Sequence, residues 1–228
     1  MNLVKVDSFL SPAEVAFSVS AINDVLLQPE GDEQYDAALD GLVAISKLHP
    51  RVIEASTLPI LFTALPSEAP AAGTKANDDY RRALESLAAL CVHPSLFEIL
   101  SLRLLARLET ISASAPDDEQ DRSRAALYAH HMLATLRAVL RAKAAAGHDD
   151  IAKYLDKFVP RLYGLFILPT LSPMDQDVVA KDSRLLVDAG QVITLVAQKV
   201  DVEWVPSPSL LTWLAANYFL SQASIKLF

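Results

Sequence analysis

One pattern occurs twice in this chain and restricts its possible folds more than any other feature. Tyr35, Ala38, Leu39, Leu42, Ala44 and Ile45 lead to His49-Pro50. Tyr80, Ala83, Leu84, Leu87, Ala89 and Leu90 lead to His93-Pro94 with the same spacing, except for one residue lost before the His-Pro pair. Leu39, Leu42 and Ile45 fall on one helical face. Proline pushes the residue before it out of the helical region, so each His-Pro should end a helix. A second apolar stretch follows each one, Val52 to Leu65 and Ser95 to Ile111, and both read as helices.

The tyrosines are 45 positions apart and the His-Pro pairs 44. A helix pair recurring at that period is the mark of a HEAT-type or armadillo-type α-solenoid. Its physical basis is burial: one pair cannot cover its own apolar face, so neighbouring pairs must stack. Composition agrees. Leucine and alanine, both strong helix formers, dominate the chain, and there are only 6 glycines among 228 residues. In Ser95–Glu109, the residues Leu96, Phe97, Ile99, Leu100, Leu102, Leu104, Leu105 and Leu108 occupy most of the helix circumference, which predicts cover on several sides. The expected fold is all-α, a right-handed superhelix of about four helix pairs.

The remaining segments extend the array. Ser11-Pro12-Ala13-Glu14 reads as a capping box with proline in the first turn, opening a helix to about Leu27. Asp121 to Ala146 reads as one long helix closed by Gly147. Asp149 or Asp150 should cap the next, which reaches about Phe166 with a kink at Pro160. Asp182 to Val200 is periodic through Leu185, Leu186, Ala189, Val192, Ile193 and Val196. Pro66–Asn77 and the acidic Ala115–Gln120 read as connections without regular structure. These readings place repeats near 33–65, 79–112, 121–167 and 173–200 within an array over 1–203. An apolar tail or capping helix over 204–228 would follow.

The charge balance limits the partners. Acidic residues outnumber basic ones by 28 to 20, for a net charge of −8. A generally basic nucleic-acid surface is not expected, because phosphate affinity comes from clustered Lys and Arg. The single cysteine, Cys91, excludes an internal disulfide and a self-contained cluster or structural zinc site rich in cysteine. It also points to a reducing compartment. Met1–Leu10 lacks the long apolar core of a signal peptide. The longest near-apolar run, Pro208 to Leu220, is shorter than the roughly 20 residues a membrane helix needs. No phosphate-binding glycine loop, nucleophile elbow or paired-carboxylate motif is present, so no catalytic residue, metal or cofactor is assigned.

Several side chains remain as candidates for partner binding. Arg81 and Arg82, with Arg103 and Arg107 one turn apart on a neighbouring helix, form a possible basic ridge across repeats; the plain alternative is solvated surface. His130, Arg137 and Arg141 share one face at i, i+7 and i+11, which would suit an acidic partner or an ordinary solvated stripe. Cys91 lies close to His93 in sequence, as a nucleophile and its base would. Its place beside Leu87 and Leu90 makes it a small core residue instead. His130 and His131 are adjacent and point about 100° apart, without the spacing of a zinc-binding pair.

These residues resemble a known family. The run from Tyr80 to Glu109, with Leu58 to Pro66 before it and Asp188 to Glu203 after it, is similar to members of the Mms-nineteen nucleotide excision repair family. The resemblance covers roughly residues 30–203. It implies a HEAT-repeat adaptor of the cytosolic iron–sulfur protein assembly machinery, found in nucleus and cytoplasm. Its implied partners are the assembly subunits and the client iron–sulfur enzymes of DNA repair, replication and transcription. No direct nucleic acid, membrane or resident cofactor is implied. Family members are several times longer, so the chain reads as an interior fragment of such a solenoid. The rival readings are another HEAT-type adaptor, for nuclear transport or a phosphatase, and a helical enzyme with an unrecognised motif.

Overall fold

A computed structural model of the chain describes residues 10–28, 31–114, 116–171 and 179–199. Among these the regular elements are all helical and no strand occurs. The fold is all-α, of the solenoid class assembled from packed helix pairs. The chain divides into two compact units, Met1–Ser101 and Leu102–Phe228. The tail reading over 204–228 lies outside the described residues, as do the first six residues of the repeat expected over 173–200.

The first unit opens with α1, Pro12–Leu27. Its capping box forms as the sequence predicts. Ser11 Oγ accepts from the Glu14 N–H at 3.3 Å, and the Glu14 carboxylate accepts from the Ser11 N–H at 2.7 Å. That backbone bond holds the Glu14 carboxyl below its ordinary range. Helix α2, Asp32–Leu48, stops at His49. Then α3 (Pro50–Val52), a π-helical turn (Ile53–Thr57) and α4 (Leu58–Thr63) follow without a break. Helix α5, Lys75–Leu90, is capped by Thr74, whose Oγ1 accepts from the Asn77 N–H. The irregular connection expected over 66–77 therefore ends at Thr74, because a threonine cap outweighs the loop-like composition around it. Helix α6 spans Pro94–Ser112.

Burial in the first unit follows the repeated pattern, with one change. In α2 the buried face is Tyr35, Ala38, Leu42 and Ile45, and Leu39 sits at its edge. In α5 it is Tyr80, Ala83, Leu84, Leu87 and Leu90. Val15 and Val19 of α1 and Ile53, Leu58 and Leu61 complete this core. Each leucine, isoleucine or valine among them contributes about 1.5–3 kcal/mol when removed from water. One polar pair is enclosed with them: Thr57 Oγ1 donates to Asn23 Oδ1 at 3.0 Å. On α6 the buried residues run from Leu96 to Ser112 along one half of the helix, while Ile99 is partly covered and Leu102 is 48% exposed. The prediction of cover on several sides was too broad, because leucine content does not say which side meets a neighbour.

The second unit contains α7 (Glu119–Ala145), a 3₁₀ turn (Asp149–Tyr154), α8 (Leu155–Leu162), a π turn (Tyr163–Ile167), α9 (Leu168–Leu171), a short 3₁₀ turn (Val179–Lys181) and α10 (Ser183–Ala197). Helix α10 packs against α7 and α8. Met132, Leu133, Leu136, Val139 and Leu140 of α7 and Leu185, Ala189, Val192 and Val196 of α10 are buried, as are Phe158, Leu162 and Phe166 in the elements between them. The connection expected over 115–120 is shorter, since Glu119 and Gln120 already belong to α7. Acidic Glu119 and Asp121 in its first turn favour the positive end of the helix dipole. At the other end, Gly147 adopts φ 73°. The His148 N–H bonds to Lys143 O and the Gly147 N–H to Ala144 O, a Schellman motif that only glycine enters freely.

The helix expected to run to Phe166 is instead segmented and reaches Leu171. Its counterpart in the first unit breaks in the same way. Each has a π turn immediately before a Leu-Pro pair, Leu58-Pro59 and Leu168-Pro169. The Leu58 N–H bonds five residues back to Ile53 O, and the Leu168 N–H five back to Tyr163 O. Proline lacks a donor and its ring crowds the carbonyl four residues earlier, so a wider turn relieves the conflict without ending the helix.

Candidate partner-binding surfaces

The first unit holds an open cleft of about 590 Å³. Apolar Leu26, Leu27, Leu61, Ala64 and Ala83 line it, with polar Tyr35, Lys75, Asp79, Arg82 and Ser86. Helices α2 and α5 meet along it through the repeated tyrosine. Tyr35 Oη donates to Arg82 O at 2.9 Å and lies 2.6 Å from the Ser86 hydroxyl. Burial raises the Tyr35 phenol above its ordinary pKa. The Arg82 guanidinium sits 5.4 Å from the Tyr35 ring centre and bonds Asp32 Oδ1 at 2.9 Å. Both ion-pair partners are exposed, so the pair contributes at most about 1 kcal/mol. Tyr35→Phe strips a bonded hydroxyl from a buried site and is expected to cost about 1–3 kcal/mol, more than Asp32→Ala. Urea unfolding of the two variants side by side checks this ordering.

In the second unit, α7 and α10 are joined by a polar network. Asp188 on α10 is 4% exposed. Its Oδ1 accepts from Arg137 Nη1 at 3.0 Å, and its Oδ2 meets His130 Nδ1. A carboxylate only accepts, so Nδ1 carries the shared proton. Arg137 also donates to Gln191. At the start of α10, Asp182 caps the helix and takes two bonds from the Arg184 side chain, which hold its carboxyl below the ordinary range. Two members of the predicted α7 stripe, His130 and Arg137, thus face an acid of the same chain. Arg141, the third, is exposed. Sequence reasoning missed Asp188 and Gln191. The available signal was an aspartate on the same stripe as Leu185, Ala189 and Val192, where only a paired charge is tolerated.

The remaining candidates are distributed over both units. Arg81 is exposed on α5 in the first unit, beside Arg82. Arg103 and Arg107 lie on the part of α6 that belongs to the second unit, the former exposed and the latter partly covered. Cys91 is fully buried at the end of α5, and desolvation pushes its thiol up to about 12. A thiol so placed is a poor nucleophile. Iodoacetamide at pH 8 is expected to leave it unmodified until urea unfolds the chain, as mass spectrometry would show. His93 Nδ1 pairs with the Ser95 hydroxyl at 3.0 Å. Among the described residues, no group of three or more His, Cys, Asp or Glu lies together as a metal site would require. No described helix is long and apolar enough to cross a membrane.

Comparison with known proteins adds one match. The model of a family described as RNAPII transcription regulator C-terminal, an MMS19 domain, matches residues 83–205. The match begins within α5 and takes in every later described helix. No curated protein and no solved structure matches the chain.

Proposed function

The chain belongs to the MMS19 family, and from that premise we propose that it acts as a non-catalytic adaptor in nucleus and cytoplasm. It would hold iron–sulfur assembly subunits together with the cluster-containing enzymes of DNA repair, replication and transcription that receive their product. The observation that carries this reading is the family match over residues 83–205. A packed array of helices supports it, since such arrays present extended side-chain surfaces to other proteins. In this reading the cluster is cargo, and the adaptor places the recipient.

The surface offers defined positions for such contacts. Arg82, His130 and Arg137 are engaged within the chain. The proposed contacts to acidic protein segments fall to Arg81, Arg103 and Arg141, which are exposed, and to Arg107, which is partly covered. In a chain of net charge −8, isolated cations of this kind suit a protein partner better than a nucleic-acid backbone, which rewards many clustered cations.

The test is affinity capture of the tagged chain from its own cell extract, read by mass spectrometry. Assembly subunits and cluster-containing enzymes are expected among the recovered proteins. Arg103→Glu with Arg107→Glu is expected to reduce that recovery without changing the melting curve. A well-folded bait that recovers neither class overturns the adaptor reading. Recovery of transport or phosphatase subunits in their place redirects it to another HEAT-type scaffold.

A further inference from the structure

Among the described residues, helix α10 is fully buried along one side. Leu185, Asp188, Ala189, Val192 and Val196 face the second unit's core. The opposite face is formed by Ser183, Val187, Gly190, Thr194, Ala197 and Gln198, none of them charged. Val187 is 57% exposed, and a Cβ added at Gly190 would meet no atom within 4 Å. A helix that keeps one face in water normally places its charged residues there. On α10 the charges lie at the flanks and ends instead, as Asp182, Arg184 and Lys199.

The chain itself supplies a matching segment. It continues for 29 residues beyond Lys199, and residues 204–225 contain no Asp, Glu, Lys, Arg or His. Within them, Pro208 to Leu220 is rich in leucine and aromatic residues, with Leu210, Leu211, Trp213, Leu214, Tyr218 and Phe219. As a helix these 13 residues would measure about 20 Å, close to the roughly 22 Å of α10. Ten residues, 198–207, separate the end of α10 from Pro208, enough chain to turn back along the helix.

We propose that residues 208–220 dock antiparallel along the uncharged outward face of α10, completing its helix pair. The occupant is this chain's own segment. It is tethered within a few residues of the face, which gives it a high effective concentration there. Its lack of charge matches the lack of charge on the helix. Docking removes Val187 and the apolar side chains of the segment from water together, which is the drive that stacks such pairs elsewhere in an array.

The chain's 2 tryptophans, Trp204 and Trp213, both lie beyond α10. In the full chain carrying Trp204→Phe, all tryptophan emission therefore reports on the proposed segment. The expected result is blue-shifted emission from Trp213, quenched by acrylamide several-fold more weakly than in urea. Val187→Asp, added to this background, should shift the emission to the red and restore quenching while helix content by circular dichroism is kept. Thr194→Asp, at a second exposed position on the same face, should do the same. Emission in the parent already equal to that in urea overturns the proposal. So does blue-shifted emission that neither substitution moves, or one that vanishes on dilution as sedimentation shows a dimer dissociating, which would assign the face to a second copy.

Discussion

Replacing Leu87 with aspartate is expected to remove the cooperative unfolding transition of the first unit. Leu87 lies at the centre of the buried face of α5, between Leu84 and Leu90, and is wholly enclosed. The substitution loses the burial of a leucine, about 1.5–3 kcal/mol. It also places a carboxylate where the surrounding residues are those of an apolar stripe. Burying even a neutral polar group without a partner costs roughly 2–7 kcal/mol, and an ionised one costs more. The sum is comparable to the whole stability of a domain, about 5–15 kcal/mol. Thermal melting followed by circular dichroism is the measurement, with Arg81→Asp as the control. Arg81 is exposed on the same helix, so its replacement should change stability by no more than about 0.5 kcal/mol. A Leu87→Asp chain that melts like the parent would mean that the buried face of α5 is misplaced.

The second large effect concerns a buried charge. Lys143, in the last turn of α7, is 0% exposed, and its Nζ lies 2.9 Å from Asp150 Oδ1 in the 3₁₀ turn that follows. Neither Asp150 oxygen takes a well-directed hydrogen bond, so the ammonium balances this carboxylate by charge rather than by geometry. Lys143→Ala leaves the acid enclosed without that counter-charge and is expected to cost about 3–5 kcal/mol. Lys143→Met together with Asp150→Asn removes both charges at nearly constant volume. It should recover most of that loss, because a well-packed neutral pair escapes the cost of desolvating two ions. Urea unfolding of the single and double variants decides the matter. A single variant within 1 kcal/mol of the parent, read against that 3–5 kcal/mol expectation, would show that the pair does not hold the turn to the helix.

These two sites differ in how much of them was legible beforehand. Leu87 stands in a pattern written twice, and periodicity alone assigns it to a buried face. Lys143 stands four residues before Gly147 in an alanine-rich stretch, where a lysine reads as solvated. Its burial depends on where the following turn folds back, and Asp150 is distant enough in conformation that spacing does not pair them. The same division runs through the candidate surfaces. That His130, Arg137 and Arg141 share a face followed from helical spacing. That the first two meet Asp188 did not, because the partner lies 58 residues along the chain from His130. Arg82 is a similar case: the sequence offered it as part of a basic ridge or solvated surface, and only packing of α2 on α5 brings Tyr35 and Asp32 to it.

What the sequence by itself determined is local: the capping box at Ser11, the stop of α2 at His49-Pro50, the close of α7 at Gly147, and the spacing of the faces that pack; α5 already ends at Leu90, three residues before its own His-Pro. Each depends on the chemistry of a few consecutive residues, so a linear reading reaches it. Tertiary structure alone decided which charges meet across helices and which lysine is enclosed. It also decided that the helices holding Leu58-Pro59 and Leu168-Pro169 continue through a π turn instead of ending. In those helices the loss of one backbone donor opposes the burial of several large apolar side chains on either side. The balance between them exists only once the neighbouring helices are in place.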